Sequence, residues 1–358
     1  MTVLAGRQRP LVVRCGAFGD MVLITALIRD LSLRFGTDVD IVTSGPWSEP
    51  LLEGQPGVGD ILSVRSRKAP YWLSVDQQRV VRRLRIRGVG PTWFCDANDA
   101  ARPLLARAGI PDRCIVDVKD HPLLPGEHAI GHWCRLARIM PAAGVPTLSP
   151  APVVNAGGGA PPGCWLHVGT AQRADLESWL AHRRLLSTPL IAIQVGNKRT
   201  MRRGLRRLAV NSKYWPNERW AELLRHFRKR HPLHAIVLLG TGPEYSLNQE
   251  VISLAAIDGL YNAADDLPIP RLVALLARAD GLATVDSGPA HVAAAVGCPL
   301  VVLFGRASTS LYRPWGSSGA DVRVLTGRSG DEPSMLGIAA ADAIAAWDAL
   351  RLRGAERT

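Results

Sequence analysis

The sequence lacks the features that define several large classes of protein. Its six cysteines lie far apart and form no C-x-x-C pair, which argues against a zinc site and against a disulfide framework. No window offers ~20 consecutive apolar residues, so no transmembrane helix is predicted. The apolar run at the N-terminus is too short for a secretory signal. Together these absences predict a cytoplasmic protein with reduced thiols.

Lysine is scarce, so arginine supplies most of the formal net charge of +12. Hydrophobic residues make up 47% and charged residues 21% of the 358, which is typical of a folded globular protein long enough for two domains. The charge predicts an acidic partner, such as a nucleotide diphosphate, a phosphorylated glycolipid or an anionic membrane face. The basic runs over 65–68 and 82–87 are not interleaved with aromatic residues for base stacking, and we expect no nucleic acid to bind.

Strand and helix patterns alternate along both halves of the chain. In the first half, a strand over 11–14 precedes a helix over 21–35, and a Pro-, Ala- and Gly-rich stretch over 141–162 separates this half from the second. The alternation predicts an α/β fold of two doubly wound, Rossmann-like domains that face each other across a cleft. The predicted bounds are 1–165 for the N-terminal domain, 166–188 for a linker region, 189–340 for the C-terminal domain and 341–358 for a closing helix and tail.

The most specific motif is D-S-G-P-A-H, which begins at Asp286 and lies between two apolar strands. A strand, a glycine turn and a helix of small residues, predicted over 290–296, present backbone N–H groups and the positive helix end to an anion. Ser287 is a candidate cap, Gly288 admits a ligand close to the backbone, and His291 adds an imidazole. The motif predicts a phosphate or diphosphate site; an ordinary capped turn of an α/β core is the alternative.

Two other motifs carry candidate site residues. G-A-F-G-D ends at Asp20, which we expect just before the first long helix, where an aspartate ordinarily serves as the N-cap; the two glycines allow a tight turn that brings a substrate close. It is not the G-x-G-x-x-G of dinucleotide binding. K-Y-W-P begins at Lys213, directly upstream of a helix predicted over 217–230, where a lysine suits a diphosphate. The basic loop over 198–207 is either a solvated face or a segment that closes over phosphates.

Read in order along the chain, these motifs resemble those of glycosyltransferase family 9, the heptosyltransferases of lipopolysaccharide core assembly. The resemblance rests on D-S-G-P-x-H-x-A-A-A-x-G-x-P-x-V-x-L-F-G, on K-Y-W-P, on the T-G-P-E turn and on the opening R-x-x-x-x-G-D. It implies the GT-B fold, with a nucleotide sugar, ADP-heptose, on the C-terminal domain. It implies an anionic glycolipid or glycan acceptor, such as a lipid A core, on the N-terminal domain, at or near the inner membrane surface.

The resemblance also implies a role for each site residue. Asp20 is the general base that deprotonates the acceptor hydroxyl in an inverting transfer, and Lys213 neutralises the departing diphosphate. Donor contacts are implied for Lys213, Glu244 (ribose), Leu267 (base), Asp286, Ser287, Gly288 and His291, and acceptor or phosphate contacts for Gly19, Lys198, Arg199 and Arg202. No metal and no cofactor is expected, since no D-x-D motif is placed for a divalent ion and the nucleotide sugar is a substrate.

Three alternatives stay open at the level of sequence. His291 competes with Asp20 as the base, and Asp20 is preferred because it belongs to the domain expected to bind the acceptor. A nucleotide-sugar epimerase of the same architecture would act without an acceptor. A non-enzymatic nucleotide-sugar or phosphoglycan-binding protein would use Asp20 only as a cap. The variant Asp20→Ala separates these readings, because only a transferase would keep its ligand and lose turnover.

Overall fold

The structure, a computed structural model, describes residues 9–142, 163–197, 211 and 213–353. The chain divides into two compact units, Met1–His167 and Val168–Thr358. Each unit contains a parallel β-sheet with helices, as the alternation of patterns predicts. Within the described ranges, no helix is long and apolar enough to cross a bilayer.

The first unit is built on five parallel strands among its described residues. Its elements are β1 Leu11–Val13, α1 Phe18–Leu23, α2 Thr25–Phe35, β2 Val39–Ser44, α3 Ser48–Leu52, β3 Val58–Val64, α4 Val75–Arg87, β4 Thr92–Phe94, α5 Arg102–Ala108, β5 Ile115–Asp117 and α6 Ala129–Leu136. The strand order is β3-β2-β1-β4-β5. The chain therefore leaves β1 in one direction and returns on its other side, which makes the β1/β4 boundary a topological switch point.

The second unit has a larger sheet. Its elements are α7 Thr170–His182, β6 Leu190–Gln194, α8 Asn217–Arg230, β7 Ala235–Leu238, α9 Tyr245–Ala255, β8 Leu260–Asn262, α10 Ile269–Arg278, β9 Gly281–Val285, α11 Gly288–Ala295, β10 Leu300–Phe304, α12 Thr309–Tyr312, β11 Val322–Thr326, β12 Arg328–Ser329, β13 Glu332–Pro333 and α13 Ala340–Asp348. The main sheet has the order β11-β10-β9-β6-β7-β8, and β12 pairs with β13. Its switch point lies between β6 and β9.

Buried aromatic residues fix the segment that leads into α8. The rings of Trp215 and Trp220 meet edge to face with centroids 4.7 Å apart. Trp215 is fully buried and its indole N–H donates to the carbonyl of Ile338, 2.8 Å away. A buried Trp N–H normally finds such a partner. This packing holds the chain immediately after Lys213 in one position.

The structure differs from the sequence prediction in three places. The helix predicted over 21–35 is two helices, α1 and α2, and α1 begins at Phe18, so Asp20 lies inside the first turn rather than before it. Helix α11 begins at Gly288 rather than at 290, because Pro289 suits a first helical turn. The region 166–188, predicted as a linker, contains α7, which buries Trp179 and belongs to the second unit.

Candidate active site

The carboxyl ends of β6, β7 and β9 bring polar side chains together in the second unit. Gln194 is the last residue of β6, the turn after β7 contains Glu244, and Asp286 follows β9. All three side chains are buried. Ligands of open α/β sheets bind at this edge, in the crevice at the switch point. The sequence motifs therefore meet where the topology predicts a ligand site.

Lys213 and Asp286 form the central ion pair of this edge. The Lys213 ammonium lies 2.6 Å from Asp286 Oδ2 and donates to the Asp286 carbonyl at 2.9 Å. The Asp286 side chain is only 7% exposed, so its carboxylate faces the lysine and not solvent. An ammonium has three protons, and one of them donates to the Asp286 carbonyl. The Lys213 side chain is 23% exposed, so the ammonium can also reach an anion.

The N-terminus of α11 lies directly after this ion pair. Ser287 occupies the N-cap position, but its hydroxyl makes no capping hydrogen bond and lies 3.5 Å from the Thr284 hydroxyl. Gly288 is the first helical residue, and His291 is buried within the helix. The positive end of the helix thus adjoins the Lys213 ammonium, an arrangement that favours a bound anion.

Glu244 is held by hydrogen bonds within the protein. One carboxylate oxygen accepts the Thr241 amide at 3.0 Å and the Thr241 hydroxyl at 2.8 Å, and the other accepts the Gln194 side-chain amide at 3.1 Å. Burial raises the pKa of Glu244 above its ordinary value, although these bonds oppose the shift. Leu267, the candidate base contact, is half-buried in the segment that joins β8 to α10.

Asp20 lies at the carboxyl end of β1 in the first unit. One of its carboxylate oxygens accepts the Ala17 amide at 2.8 Å, and the other lies 3.1 Å from an Arg14 guanidinium nitrogen. Arg14 also donates to the Cys95 carbonyl at 2.7 Å, and its guanidinium lies 5.5 Å from the centre of the Trp133 ring. The Asp20 side chain remains 32% exposed. The carboxylate is therefore fixed in orientation and still open to a substrate.

A second carboxylate, Asp96, supports the same turn and was missed by the sequence analysis. Asp96 follows β4 across the switch point, is buried, and accepts the Cys15 amide at 2.7 Å. Its other oxygen lies 3.2 Å from Arg67. Burial raises the pKa of Cys15 to about 12, so the thiol is neutral beside this carboxylate. The sequence does carry a signal for this residue, because Asp96 directly follows the apolar W-F-C run just as Asp286 directly follows strand β9.

The remaining predicted site residues are placed as follows. Gly19 lies in the first turn of α1 beside Asp20 and is half-buried. Lys198, Arg199 and Arg202 lie outside the described residues. Within the described part of the chain, no group of three or more His, Cys, Asp or Glu side chains is arranged to hold a metal ion.

Comparison with known proteins finds a family that part of the sequence resembles. Residues 205–332 match the family model described as glycosyltransferase family 9 (heptosyltransferase). The match covers about a third of the chain, and over this region the sequence is similar to glycosyltransferase family 9. The matched residues include Lys213, Glu244 and Asp286, which lie at the carboxyl edge of the second sheet. Lipopolysaccharide heptosyltransferase 2 of Salmonella typhimurium is 31% identical over 129 residues, which are 34% of this chain and 36% of that protein. The alignment thus spans about a third of this relative.

Solved structures of family 9 members share the fold. A family 9 glycosyltransferase from Veillonella parvula superposes with a TM-score of 0.72, at 18% identity, over 96% of both chains. The structure described as E. coli ADP-heptose lipopolysaccharide heptosyltransferase II gives a TM-score of 0.67, at 20% identity, over 95% of this chain and 98% of that one. The fold is therefore GT-B, as the sequence predicted.

Proposed function

We propose that the protein is an inverting glycosyltransferase that transfers a heptose, or a related sugar, from ADP-heptose to a lipopolysaccharide core or a similar anionic glycan. The Lys213–Asp286 pair carries this proposal, because it lies at the β6/β9 switch point beside the N-terminus of α11 and within the family 9 match. The names of the relatives, which refer to heptose and lipopolysaccharide, support the choice of donor and acceptor.

The donor binds along the carboxyl edge of the second sheet. Its diphosphate accepts hydrogen bonds from the Lys213 ammonium and from the backbone N–H groups of Ser287 and Gly288 at the start of α11. Asp286 keeps the lysine aimed at the phosphates rather than at solvent. The nucleoside extends toward β7 and β8. There Glu244 binds the ribose through the carboxylate lone pairs that do not accept from Thr241 or Gln194. Leu267 contacts the base, and His291 supports the α11 turn from within the helix.

The transfer is a single displacement. Asp20 takes the proton of the acceptor hydroxyl while the acceptor oxygen bonds to the anomeric carbon. The bond from that carbon to the diphosphate breaks on the opposite face, and ADP leaves with the electron pair, so the configuration inverts. General base catalysis of this kind contributes roughly 10²–10⁴-fold to rate. Positive charge fixed at Lys213 and at α11 stabilises the charge that develops on the leaving group.

Because Lys213 and α11 neutralise the leaving group, the transfer needs no metal ion, and we expect turnover to persist in excess chelator.

Because the proposed acceptor is carried on a lipid, the enzyme works in the cytoplasm at a membrane surface, where its net charge of +12 attracts the acidic acceptor.

Nucleotide-dependent thermal stability tests the donor site. We expect ADP, but not UDP or GDP, to raise the melting temperature, since a ligand at 100 times its Kd adds about 2.7 kcal/mol. In Lys213→Gln the affinity for ADP falls roughly 10- to 100-fold, because a hydrogen bond to a charged group is lost. The double variant Lys213→Gln/Asp286→Asn leaves no buried charge unpaired, and its affinity for ADP should fall to the same degree. The control Lys229→Gln, at an exposed position, should bind ADP as wild type does.

The outcomes of this experiment separate the fold from the donor. A selective response to UDP or GDP would contradict the heptose donor and leave the site intact. Unchanged ADP affinity in Lys213→Gln would contradict the site itself.

A further inference from the structure

An unusual surface lies on the first unit, at the turn before α4 and along the helix itself. Four large apolar side chains stand in solvent there: Trp72 is 75% exposed, Leu73 62%, Val75 69% and Ile86 74%. Scattered single apolar residues are normal on a protein surface, but three within four consecutive positions form a patch. We call this surface, with the arginines described next, the α4 patch.

Helical geometry explains why the patch faces outward. Gln77, Val80, Val81 and Leu84 are buried and form the inner face of α4. Positions three and four residues apart share a face of a helix, so Val75 and Ile86 lie on the opposite face with Arg79 and Arg82 between them. The outer face thus has an apolar residue at each end and two cations in its middle.

The patch carries unbalanced positive charge. Helix α4 has five arginines and one acidic residue. Arg83 lies 2.6 Å from Asp60, and Arg87 lies 2.7 Å from Asp40. Arg85 donates to the Arg107 carbonyl at 3.1 and 2.8 Å. Arg79 and Arg82, by contrast, form no ion pair with any described residue. Because these two arginines lie on the outer face, they are available to an external anion.

The exposed turn is held in place by hydrogen bonds. The Gln78 side chain donates to the carbonyls of Tyr71 at 3.1 Å and Trp72 at 3.2 Å. The Ser74 hydroxyl donates to Asp76 at 2.6 Å and fixes the start of α4. These bonds present Trp72 and Leu73 outward in an ordered turn, so their exposure is a property of the folded unit.

We infer that the α4 patch binds the surface of an anionic lipid bilayer. Trp72, Leu73 and Val75 enter the interfacial layer, where an indole ring is favoured, and Arg79 and Arg82 contact lipid phosphates just above it. A bilayer offers apolar and anionic layers at adjacent depths, which matches this mixture of side chains. The inference rests on the proposed function, which puts the enzyme at a membrane surface, and it names the residues that make the contact. Because binding to vesicles needs neither donor nor acceptor, the two can fail separately.

Vesicle sedimentation tests the inference. The full-length protein is mixed with sucrose-loaded vesicles of phosphatidylcholine alone, or with 30% phosphatidylglycerol, and the bound fraction is measured. We expect binding only to the anionic vesicles. Arg79→Gln/Arg82→Gln should weaken it about 25-fold, at about fivefold per arginine. Trp72→Ser/Leu73→Ser should weaken it by at least about tenfold through lost apolar burial. The controls are Lys229→Gln/Arg230→Gln, which remove the same charge from the second unit, and Leu233→Ser, which removes an exposed leucine there.

A site-specific probe locates the contact. The six native cysteines are all buried, so Val75→Cys adds one accessible thiol for a polarity-sensitive maleimide dye. We expect its emission to shift to the blue on anionic vesicles and to be quenched by brominated lipid, while the same dye on Leu233→Cys stays unchanged. Equal binding by all variants would overturn the inference, and so would binding that leaves the emission of the dye at position 75 unchanged. Displacement by a soluble anionic oligosaccharide would overturn it in favour of a saccharide-binding surface.

Discussion

Asp20 has one carboxylate oxygen on the Ala17 amide and the other beside Arg14, and about a third of its side chain is open to solvent. The first contact is structural, because it satisfies an N–H group at the start of α1 that has no partner within the helix. The second contact orients the carboxylate. Both contacts are compatible with a base, because a carboxylate has lone pairs to spare.

Replacing Asp20 by Asn separates the chemical task from the structural one. Asn keeps an oxygen for the Ala17 amide but cannot take up a proton, so we expect turnover to fall by about 10²–10⁴-fold. ADP affinity by calorimetry and the melting temperature should change little. Asp60→Asn, which removes an exposed carboxylate from the same unit, serves as the control. Normal turnover in Asp20→Asn would exclude Asp20 as the base and favour His291.

Glu244 makes stability depend on pH in a defined direction. Burial raises its pKa in the folded protein above the ordinary value of 4.5, so the folded state holds the proton more tightly than the unfolded state does. Its stabilising contribution is therefore present below pH 4.5 and is lost as pH rises through the folded-state pKa. Each unit of pKa difference is worth about 1.4 kcal/mol.

The variant Glu244→Gln removes this dependence. Denaturant unfolding between pH 4 and 7 should show wild type losing free energy of unfolding relative to Glu244→Gln as pH rises. Glu222→Gln, at an exposed position of α8, should run parallel to wild type. A constant difference between wild type and Glu244→Gln across this range would contradict the burial effect.

Among the structural elements, the β1–α1 turn leaves no room for a side chain at Gly16. A Cβ atom added at Gly16 would lie 2.4 Å from Asp20 Cβ and 2.9 Å from its carboxylate oxygen, distances that no relaxed structure allows. The turn is also fixed from outside, because Asp96 accepts the Cys15 amide and the Trp47 indole donates to the Gly16 carbonyl at 3.1 Å. The turn and Asp20 therefore form one rigid piece.

The variant Gly16→Ala tests this packing. We expect the added methyl group to displace the Asp20 carboxylate and to reduce turnover about as far as Asp20→Asn does, with unchanged affinity of the second unit for ADP. The protein should also lose about 1–3 kcal/mol of stability from overpacking. Gly131→Ala, whose Cβ would meet only Glu127 at 3.7 Å, should behave like wild type. Turnover near the wild-type level in Gly16→Ala would show that the position of Asp20 is not critical.

At the scale of the whole molecule, much of the fold could be predicted because parallel strands buried on both faces are continuous apolar runs. Helix α8 has the predicted bounds, and strands β9 and β10 are the two apolar strands predicted on either side of the D-S-G-P-A-H motif. The break between α1 and α2 was missed because Ile24 continues the apolar pattern of both helices. Helix α7 was missed because its sequence is mostly polar. Its buried residues form one stripe of Leu176, Trp179 and Leu180.

Residues of the candidate site could be predicted only where their immediate sequence neighbours mark them. Lys213, Glu244 and Asp286 each stand next to a strand end or a helix start, and sheet topology then brings them to one edge. The contacts of Asp96 with Cys15 and of Arg14 with Cys95 join residues 81 positions apart. Such pairs depend on which strands are neighbours, and the strand order was not among the predictions from the sequence.

One measurement tests the central claim most directly: a transfer assay with ADP-heptose and a Kdo-terminated lipid A acceptor. We predict that ADP is released in equal amount to an acceptor product heavier by one heptose, whose new glycosidic bond has the anomeric configuration opposite to that of the donor. Asp20→Asn should form both products about 10²–10⁴-fold more slowly. Release of ADP without a heavier acceptor, isomerisation of the donor alone, or a retained configuration would contradict the account.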